Sequence, residues 1–312
     1  MRALLEMRDL FFRKEQWNIG FIDQPIDVFV NTDPKPNVRW LRPLKLGKYL
    51  ADPFGLVKDG RVHVLCEEYD RRTSHGRIVS IELKDQASPS EPKIVLDLPV
   101  HASHPYLVEH RGEIYCVPET WQAREIGLYK AEEFPLKWRK LAPLITDFEG
   151  IDATLFQYQG TWWLTCTDRE EGASRRLFVW YASDLMGPWK AHAANPVKVD
   201  NRSSRPAGTP FFHNGYLYRP AQDCSKSYGA RIVINRVLRL TPTQFEEEQA
   251  AVIEPDASGP YPDGVHTVSG VGDITLVDGR RFMELHEVVR IQIMRLRSRR
   301  LRRSRSMSKT FF

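Results

Sequence analysis

Two aspartates and two histidines stand at similar places in four stretches of this 312-residue chain. Asp52, His104, Asp152 and His266 each occupy a short turn-like segment that leads into an apolar, strand-like run. Carboxyl and imidazole groups are the side chains that most often accept or donate protons in enzyme active sites. If the four residues meet in the folded protein, they form a candidate site for acid–base chemistry.

The four residues belong to a loose repeat of about fifty residues that occurs five times. Each copy runs from its turn into an apolar strand, then through a tight glycine turn into a second strand. The copies start near Ala51, Ser103, Ile151, Gly208 and Val265, and their turns are expected at Gly60, Gly112, Gly160, Gly215 and, in the fifth copy, Asp278-Gly279. Hairpins repeated at this length are typical of β-propeller blades. The sequence therefore predicts an all-β fold, a five-bladed β-propeller.

The propeller would bring the four residues together, because the innermost strands of its blades line one central channel. The competing interpretation is that each residue only caps its own turn, as Asp often does. Since four residues share the same place in the repeat, we favour a shared pocket. We also expect the propeller to be closed by an N-terminal strand, because residues 17–22 are strand-like and the fifth copy leaves little room for outer strands.

The candidate pocket contains the groups that glycoside hydrolysis needs, namely two carboxyl groups flanking the scissile bond. Asp52 and Asp152 come from the first and third copies and could face each other across the channel. The candidate substrate-binding residues are Glu68, His104, Arg205, Arg219, Asp223 and His266. An arginine can hold a hydroxyl, carboxylate or phosphate through its planar donor fork. Arg219 has an alternative role as a buried partner of Asp223.

Several classes of protein are excluded by what the sequence lacks. It has no phosphate-binding glycine loop, no H-E-x-x-H motif and no G-x-S-x-G motif. No spacing of cysteines or histidines demands a metal ion, and we expect no cofactor. No apolar run approaches the roughly 20 residues that span a bilayer, and the N-terminus lacks the pattern of a signal peptide.

The four cysteines, Cys66, Cys116, Cys166 and Cys224, are spread along the chain. Three of them follow a turn glycine at an even offset, which places them on the same side of equivalent strands. We interpret them as small buried strand residues rather than disulfide partners, and we expect a cytoplasmic protein.

The C-terminal segment 290–312 carries nine basic residues and no acidic one, and it accounts for the positive net charge of +5. Without it, residues 1–289 have a net charge of −4. Such a tail can contact an anionic membrane surface or nucleic acid, although a disordered extension without a function is the simpler interpretation. The predicted organisation is an N-terminal extension over 1–16, a propeller over 17–289 and a disordered basic tail over 290–312.

Three segments resemble glycoside hydrolase family 43 and related five-bladed propellers: Asp52-Pro53-Phe54 with its hairpin, residues 150–156 and residues 183–189. The resemblance implies that Asp52 is the general base and that Asp152 orients the acid and tunes its pKa. The glutamate that serves as general acid in that family is missing, because residues 204–210 read Ser-Arg-Pro-Ala-Gly-Thr-Pro. We expect Glu119 or Glu68 to replace it, with His104 assisting proton transfer.

A second resemblance extends over residues 10 to about 286. Its motifs are residues 15–20, 51–55, 103–106, 118–119, 204–208 and 219–223. They are similar to the N-terminal domain of glucosamine inositolphosphorylceramide transferase. In the plant enzyme the sugar transfer is attributed to a separate C-terminal domain, which this sequence does not contain.

Three functions remain open from the sequence. The first is a carbohydrate-active enzyme that hydrolyses or transfers a glycosidic bond, with Asp52, Asp152 and Glu119 as its catalytic residues. The second is a non-catalytic propeller that binds glycans in polysaccharide or glycolipid biosynthesis. The third is a scaffold whose basic tail contacts a membrane or nucleic acid. The first two both predict a carbohydrate, or a small molecule containing a sugar, as the ligand.

Overall fold

The computed structural model describes residues 14–31, 36–83, 89–170 and 172–308, with side chains as far as Leu296. Its strands are β1 (Glu15–Ile22), β2 (Arg39–Trp40), β3 (Lys48–Lys58), β4 (Arg61–Asp70), β5 (His75–Leu83), β6 (Lys93–Leu96), β7 (Ser103–His110), β8 (Glu113–Glu119), β9 (Glu125–Ile126), β10 (Tyr129–Glu133), β11 (Lys137–Lys140), β12 (Ile145–Thr146), β13 (Gly150–Tyr158), β14 (Thr161–Asp168), β15 (Arg176–Ala182), β16 (Lys190–Ala191), β17 (Lys198–Val199), β18 (Phe211–His213), β19 (Tyr216–Asp223), β20 (Arg231–Leu240), β21 (Phe245–Ile253), β22 (Val268–Val271) and β23 (Ile274–Phe282). Two 3-10 turns, Ile26–Val30 and Trp121–Ala123, and one helix, α1 (Leu285–Ser308), complete the described elements.

The described strands form five larger antiparallel sheets, which are the five predicted blades, and one two-stranded sheet. The strand orders are β3-β4-β5-β6 in blade 1, β7-β8-β10-β11 in blade 2, β13-β14-β15-β16 in blade 3, β18-β19-β20-β21 in blade 4 and β22-β23-β1-β2 in blade 5. Strand β17 pairs with β15 at the edge of blade 3, and β9 pairs with β12 beside blade 2. The prediction of an all-β, five-bladed propeller is confirmed.

The first strand of each blade lies against its neighbours around the axis. Strand β3 contacts both β7 and β22, and β7 contacts β13. The segment before β18 joins the same ring, because Gly208 forms a parallel bridge with Val268 of blade 5. This arrangement directs the residues at the start of each inner strand towards the common channel.

A cluster of buried hydrophobic side chains fills each of the five interfaces between blades. Cys66 lies in the cluster between blades 5 and 1, Cys116 between blades 1 and 2, and Cys166 between blades 2 and 3. All three are free and buried on the second strand of their blade. The prediction that they are equivalent buried strand residues is confirmed, and two further clusters fill the interfaces of blades 3 with 4 and 4 with 5.

The N-terminal strand β1 lies in blade 5, beside the last strand of the propeller. Its whole length pairs with β23, from Glu15 opposite Phe282 to Ile22 opposite Thr275. Residues 1–13 of the expected N-terminal extension lie outside the described residues, whereas Glu15 and Gln16 already belong to β1. Blade 5 is therefore built from both ends of the propeller sequence.

The expected turn of the fifth copy was wrong. Asp278 and Gly279 lie inside the continuous strand β23, and the hairpin turns at Gly272, which has φ +56°. Gly279 is instead required for packing, because a Cβ there would lie 2.4 Å from the Trp40 ring. An Asp-Gly pair is typical of a turn. In β23, however, Asp278 is a buried aspartate and Gly279 allows the Trp40 ring to approach the strand closely.

Residues 290–308 of the basic segment continue helix α1, and residues 309–312 lie outside the described residues. Arg and Leu, which recur in this segment, have high helix propensity, and Val288 and Ile291 anchor the first turns by packing on Met283 and Leu46. Within the described part of the chain, no helix is both long and apolar enough to cross a bilayer.

Candidate functional site

Three of the four matched residues share an unusual backbone conformation. Asp52, His104 and Asp152 have φ values of +53°, +42° and +52°, in the left-handed region that non-glycine residues seldom adopt. In each case the pairing of the inner strand with its neighbour shifts register at this residue. A β-bulge of this kind re-aims a side chain, and each residue is more than nine-tenths buried.

Asp52 is held at the junction of blades 1, 2 and 5. Its Oδ1 accepts a hydrogen bond from the Thr267 hydroxyl at 2.8 Å, and its Oδ2 accepts one from the His104 backbone N–H at 3.2 Å. Its own backbone N–H donates to Asp278 Oδ2 at 3.2 Å. Asp52 thus joins three blades through hydrogen bonds while its carboxylate lies in the channel.

His266 lies between two carboxylates. Its Nδ1 is 2.5 Å from Asp278 Oδ2, and its Nε2 is 3.4 Å from Asp52 Oδ1. Burial lowers the pKa of His266, but the Asp278 and Asp52 carboxylates outweigh this effect and raise the pKa above its usual value. The Trp17 ring packs on the imidazole with centroids 4.0 Å apart, which fixes its orientation.

Asp152 is held as an anion by residues from blade 4. Its Oδ2 accepts hydrogen bonds from Arg205 Nε at 2.6 Å and Gln222 Nε2 at 2.8 Å. Burial alone would raise the pKa of Asp152, but the Arg205 guanidinium holds it well below its usual range. The Arg205 guanidinium also lies 4.8 Å from the centre of the Tyr228 ring.

The pKa of Glu119, at the end of β8, is shifted in the opposite direction from that of Asp152. Its Oε2 accepts a hydrogen bond from the Asp152 backbone N–H at 3.1 Å. Burial and the adjacent Asp152 carboxylate raise the pKa of Glu119 well above its usual value. Two neighbouring carboxyl groups whose environments push their pKa values apart are the arrangement that assigns one as an acid.

His104 lies beside this carboxyl pair. Its Nδ1 is 3.5 Å from Asp152 Oδ1, and its Nε2 is 3.4 Å from the Thr154 hydroxyl. Burial lowers the pKa of His104, so the imidazole is neutral near pH 7. The Phe54 ring meets it edge-on at 4.6 Å between centroids.

Glu67 is a further buried carboxyl group near Asp52. The sequence analysis had chosen its neighbour Glu68 as the candidate residue of strand β4. Glu67 is 5% exposed, and burial together with the nearby Asp52 carboxylate raises its pKa well above the usual value. Its Oε1 lies 3.4 Å from His101 Nε2, while His101 Nδ1 accepts the Gly76 N–H at 2.9 Å. Adjacent residues in a strand point to opposite sides, and Glu67 is the one that lies close enough to Asp52 for its pKa to be affected.

Three of the predicted binding residues are occupied elsewhere. Glu68 pairs with Lys48 and Arg77 inside blade 1 at 2.8 and 2.7 Å. Arg219 is fully buried against Glu247 of β21, at 2.7 and 2.9 Å, so its carboxylate partner is not Asp223.

Asp223, the third of these residues, accepts hydrogen bonds from Arg231 Nε at 2.8 Å and the Ser225 backbone N–H at 2.9 Å. The described bonds connect none of Glu68, Arg219 and Asp223 to Asp52, Asp152 or Glu119. Their predicted contact with a substrate stays untested by this geometry.

Asp278 and Gln222 are further members of the site that the sequence analysis did not assign. Asp278 was placed in a turn, and Gln222 was noted only within the motif 219–223. The alternation of side chains along β19 was a signal for Gln222. Asp223 was chosen from this motif, but the residue before it points to the opposite side of the strand and was an equal candidate. For Asp278 the spacing of the repeats was the signal, because a turn at Gly272 matches the other copies better.

Asp52, His266 and Asp278 could jointly hold a cation, since a donor atom of each lies within 4.8 Å of the others. These donors already have protein partners, however. Asp278 Oδ1 accepts the backbone N–H groups of His266 and Thr267 at 2.9 and 3.0 Å, and its Oδ2 accepts that of Asp52. The hydrogen bonds account for the arrangement, and we assign no metal to it.

Solved structures with a similar fold include several sugar-processing enzymes. Zg3597, a family 117 glycoside hydrolase of Zobellia galactanivorans, superposes with a TM-score of 0.54 over 86% of this chain and 90% of its own, at 13% identity. A structure from the GH130 family of mannoside phosphorylases gives 0.55 over 83% and 93%, at 12% identity. At these identities the likeness establishes the fold alone.

The sequence relatives are closer. Glucosamine inositolphosphorylceramide transferase 1 of Oryza sativa subsp. japonica is 35% identical over 205 residues, and that of Arabidopsis thaliana is 34% identical over the same length. Each match covers 64% of this chain but only 27% of the relative. The sequence profile described as glucosamine inositolphosphorylceramide transferase 1, N-terminal, matches residues 45–259. Because this match covers more than half of the chain, the protein belongs to the family of glucosamine inositolphosphorylceramide transferase 1 N-terminal domains.

Proposed function

We propose that this protein is a carbohydrate-active propeller that acts on a glycosidic bond, by hydrolysis or transfer, in glycan or glycolipid metabolism. The observation that carries the proposal is the pair formed by Glu119 and Asp152. Arg205 lowers the pKa of Asp152 and so favours its ionised form, whereas the raised pKa of the buried Glu119 beside it favours the protonated form. A neutral carboxylic acid and carboxylates around one channel are the groups needed to cleave a glycosidic bond.

In this proposal Glu119 donates its proton to the oxygen that leaves the sugar. Asp52 accepts a proton from the attacking water or acceptor hydroxyl as the new bond to the anomeric carbon forms. The Thr267 hydroxyl and the His104 N–H hold the Asp52 carboxylate in one orientation. Asp152 does not take a proton itself but keeps Glu119 protonated, because a second negative charge beside Asp152 is unfavourable.

The names of the relatives support a sugar-containing substrate, since they describe transfer of glucosamine to inositolphosphorylceramide. This chain spans about a quarter of their length, so we propose only the shared chemical class for it. We also propose a reducing, cytoplasmic location, for which the buried free thiols of Cys66, Cys116 and Cys166 are the support.

A second function, glycan binding without turnover, is favoured by one observation. Both oxygens of Asp52 and Oδ2 of Asp152 already accept hydrogen bonds from the protein. Carboxylates that already accept hydrogen bonds from the protein can stabilise the fold without taking part in a reaction. Tyr228, 38% exposed beside Arg205, would then offer a ring for sugar contact.

The test is a screen of aryl glycosides and natural glycans with the full chain and its Asp52→Asn variant, measuring both turnover and binding. We expect turnover that falls by about 10²-fold or more in the variant. The control is Asp59→Asn, which alters an exposed turn aspartate of the same blade that also has positive φ. Binding without turnover in the unmodified protein would refute catalysis and support the second function.

A further inference from the structure

Helix α1 is fastened to the propeller by one side of its first turns. Val288 and Ile291 are 2% and 5% exposed and pack on Met283. Farther along, Arg295 Nη2 donates to the Ser74 hydroxyl at 3.0 Å. The beginning of the helix therefore has a fixed orientation on the molecule.

The opposite side of the same turns exposes large apolar side chains. Leu285, Val289, Ile293 and Leu296 are 61%, 43%, 45% and 60% exposed. Their spacing of four, four and three residues places them in a single stripe along the helix. A contiguous exposed apolar stripe on a protein surface marks a contact with an apolar partner.

The positive charge of residues 290–312 indicates that the partner of α1 is anionic. From residue 290 onward the sequence has nine basic residues and no acidic one, whereas residues 1–289 carry a net charge of −4. A helix with an apolar stripe and a strong excess of arginine is the type that lies in the interface of an anionic bilayer. We propose that α1 docks this protein on an anionic lipid surface, with the stripe in the acyl boundary and with the positive charge of residues 290–312 attracted by the headgroups.

Nucleic acid fits these observations less well. Phosphates would attract the arginines in the same way, but the four apolar side chains would stay in water. A bilayer provides both an anionic surface and an apolar layer beneath it. The apolar stripe is therefore the feature that separates the two partners.

The experiment is cosedimentation of the full chain with vesicles of phosphatidylcholine, alone or containing phosphatidylserine, at low and high salt. We expect binding only to the vesicles that contain phosphatidylserine, and weaker binding at high salt because the charges are screened. The double variant Val289→Ser/Ile293→Ser should lower the affinity by about tenfold, since interfacial binding scales with buried apolar area.

The control is Leu238→Ser, which removes a comparably exposed apolar side chain (44%) from blade 4. It should bind as the unmodified protein does. Failure to bind phosphatidylserine vesicles would overturn the proposal, and so would equal binding by the double variant. Tight binding to a mixed-sequence RNA that is insensitive to Val289→Ser/Ile293→Ser would assign the arginines to nucleic acid instead.

Discussion

Glu119 and Asp152 show how position in the propeller shifts the pKa of a carboxyl group up or down. Both are buried, but only Asp152 receives the Arg205 guanidinium and the Gln222 amide. The pKa of Asp152 is therefore lowered, while that of Glu119 is raised by burial and by its ionised neighbour. Three blades contribute to this difference, so it exists only in the folded protein.

The raised pKa of Glu119 predicts that activity declines on the alkaline side of the pH–rate profile. A proton donor with a raised pKa is active below that pKa, and activity is lost as the pH rises through it. We expect Glu119→Gln to lower kcat by about 10²–10⁴-fold and to remove this alkaline decline. The measurement is kcat against pH for both proteins on a substrate found in the screen, and a decline retained in Glu119→Gln would assign the donor to another group.

If the decline is retained in Glu119→Gln, Glu67 becomes the candidate proton donor. Glu67 also shows what a sequence pattern cannot predict about a single residue. Two adjacent glutamates follow the same turn, and a sequence pattern cannot say which of them faces the channel unless the register of β4 is known. The partner of Arg219 was missed for a related reason, because Glu247 lies on another strand and no local pattern connects the two. The contacts among Asp52, His104, Asp152 and His266 could be predicted because a repeat encodes the positions of these residues.

At the scale of the element, the bulges in the inner strands make the site possible. Blades 1, 2 and 3 place Asp or His at the bulge with positive φ, a conformation that costs about 1–3 kcal/mol for such residues. In blade 4 the residue that bridges to the next blade is Gly208, with φ +131°. The repeat predicted these places, but not that Asp278-Gly279 would lie within a strand.

Gly208→Ala should destabilise the protein more than a glycine substitution in a turn. A Cβ at this position would lie 1.7 Å from the Val268 carbonyl oxygen, so blades 4 and 5 would have to separate. The matched control is Gly160→Ala, where φ is +75° and no atom lies within 4 Å of the new Cβ.

Both glycines have positive φ, but +131° at Gly208 lies farther from the left-handed region than +75° at Gly160, so backbone strain and steric overlap both add to the cost of Gly208→Ala. We expect a free energy of unfolding about 1–3 kcal/mol lower for Gly208→Ala than for Gly160→Ala, measured by urea denaturation. An equal decrease in the free energy of unfolding in both variants would mean that blade 5 moves to accommodate the added methyl group at no cost in stability.

At the scale of the whole molecule, the five hydrophobic clusters between neighbouring blades predict that the propeller unfolds as one cooperative unit. Each blade is stabilised on both sides, so the loss of one interface exposes the next. The fold class was predictable from sequence because the hairpin repeats five times. The beginning of helix α1 was not predicted, because it depends on the packing of Val288 and Ile291 against Met283, which lies at the end of the propeller.

Ile19→Ala tests this cooperativity at the interface of blades 5 and 1. Ile19, 3% exposed on β1, packs in the cluster that contains Leu50 and Val64 of blade 1. We expect the free energy of unfolding to fall by about 2–5 kcal/mol, the usual effect of removing a buried aliphatic side chain.

Tryptophan fluorescence and circular dichroism should still report one shared transition in Ile19→Ala. The exposed Val57→Ala of blade 1 is the control and should lie within about 0.5 kcal/mol of the unmodified protein. Two separated transitions in Ile19→Ala would show that the blades unfold independently.

The pairing of β1 with β23 has a consequence for how the gene could be rearranged. With Glu15 opposite Phe282, the sequence that forms the five blades returns to where it started. Such a ring has no structurally preferred first residue. A circular permutant that joins these two strands by a short linker and opens at the exposed turn of Gly160 would keep every interface between blades, so evolution or design can relocate the chain ends without moving the channel.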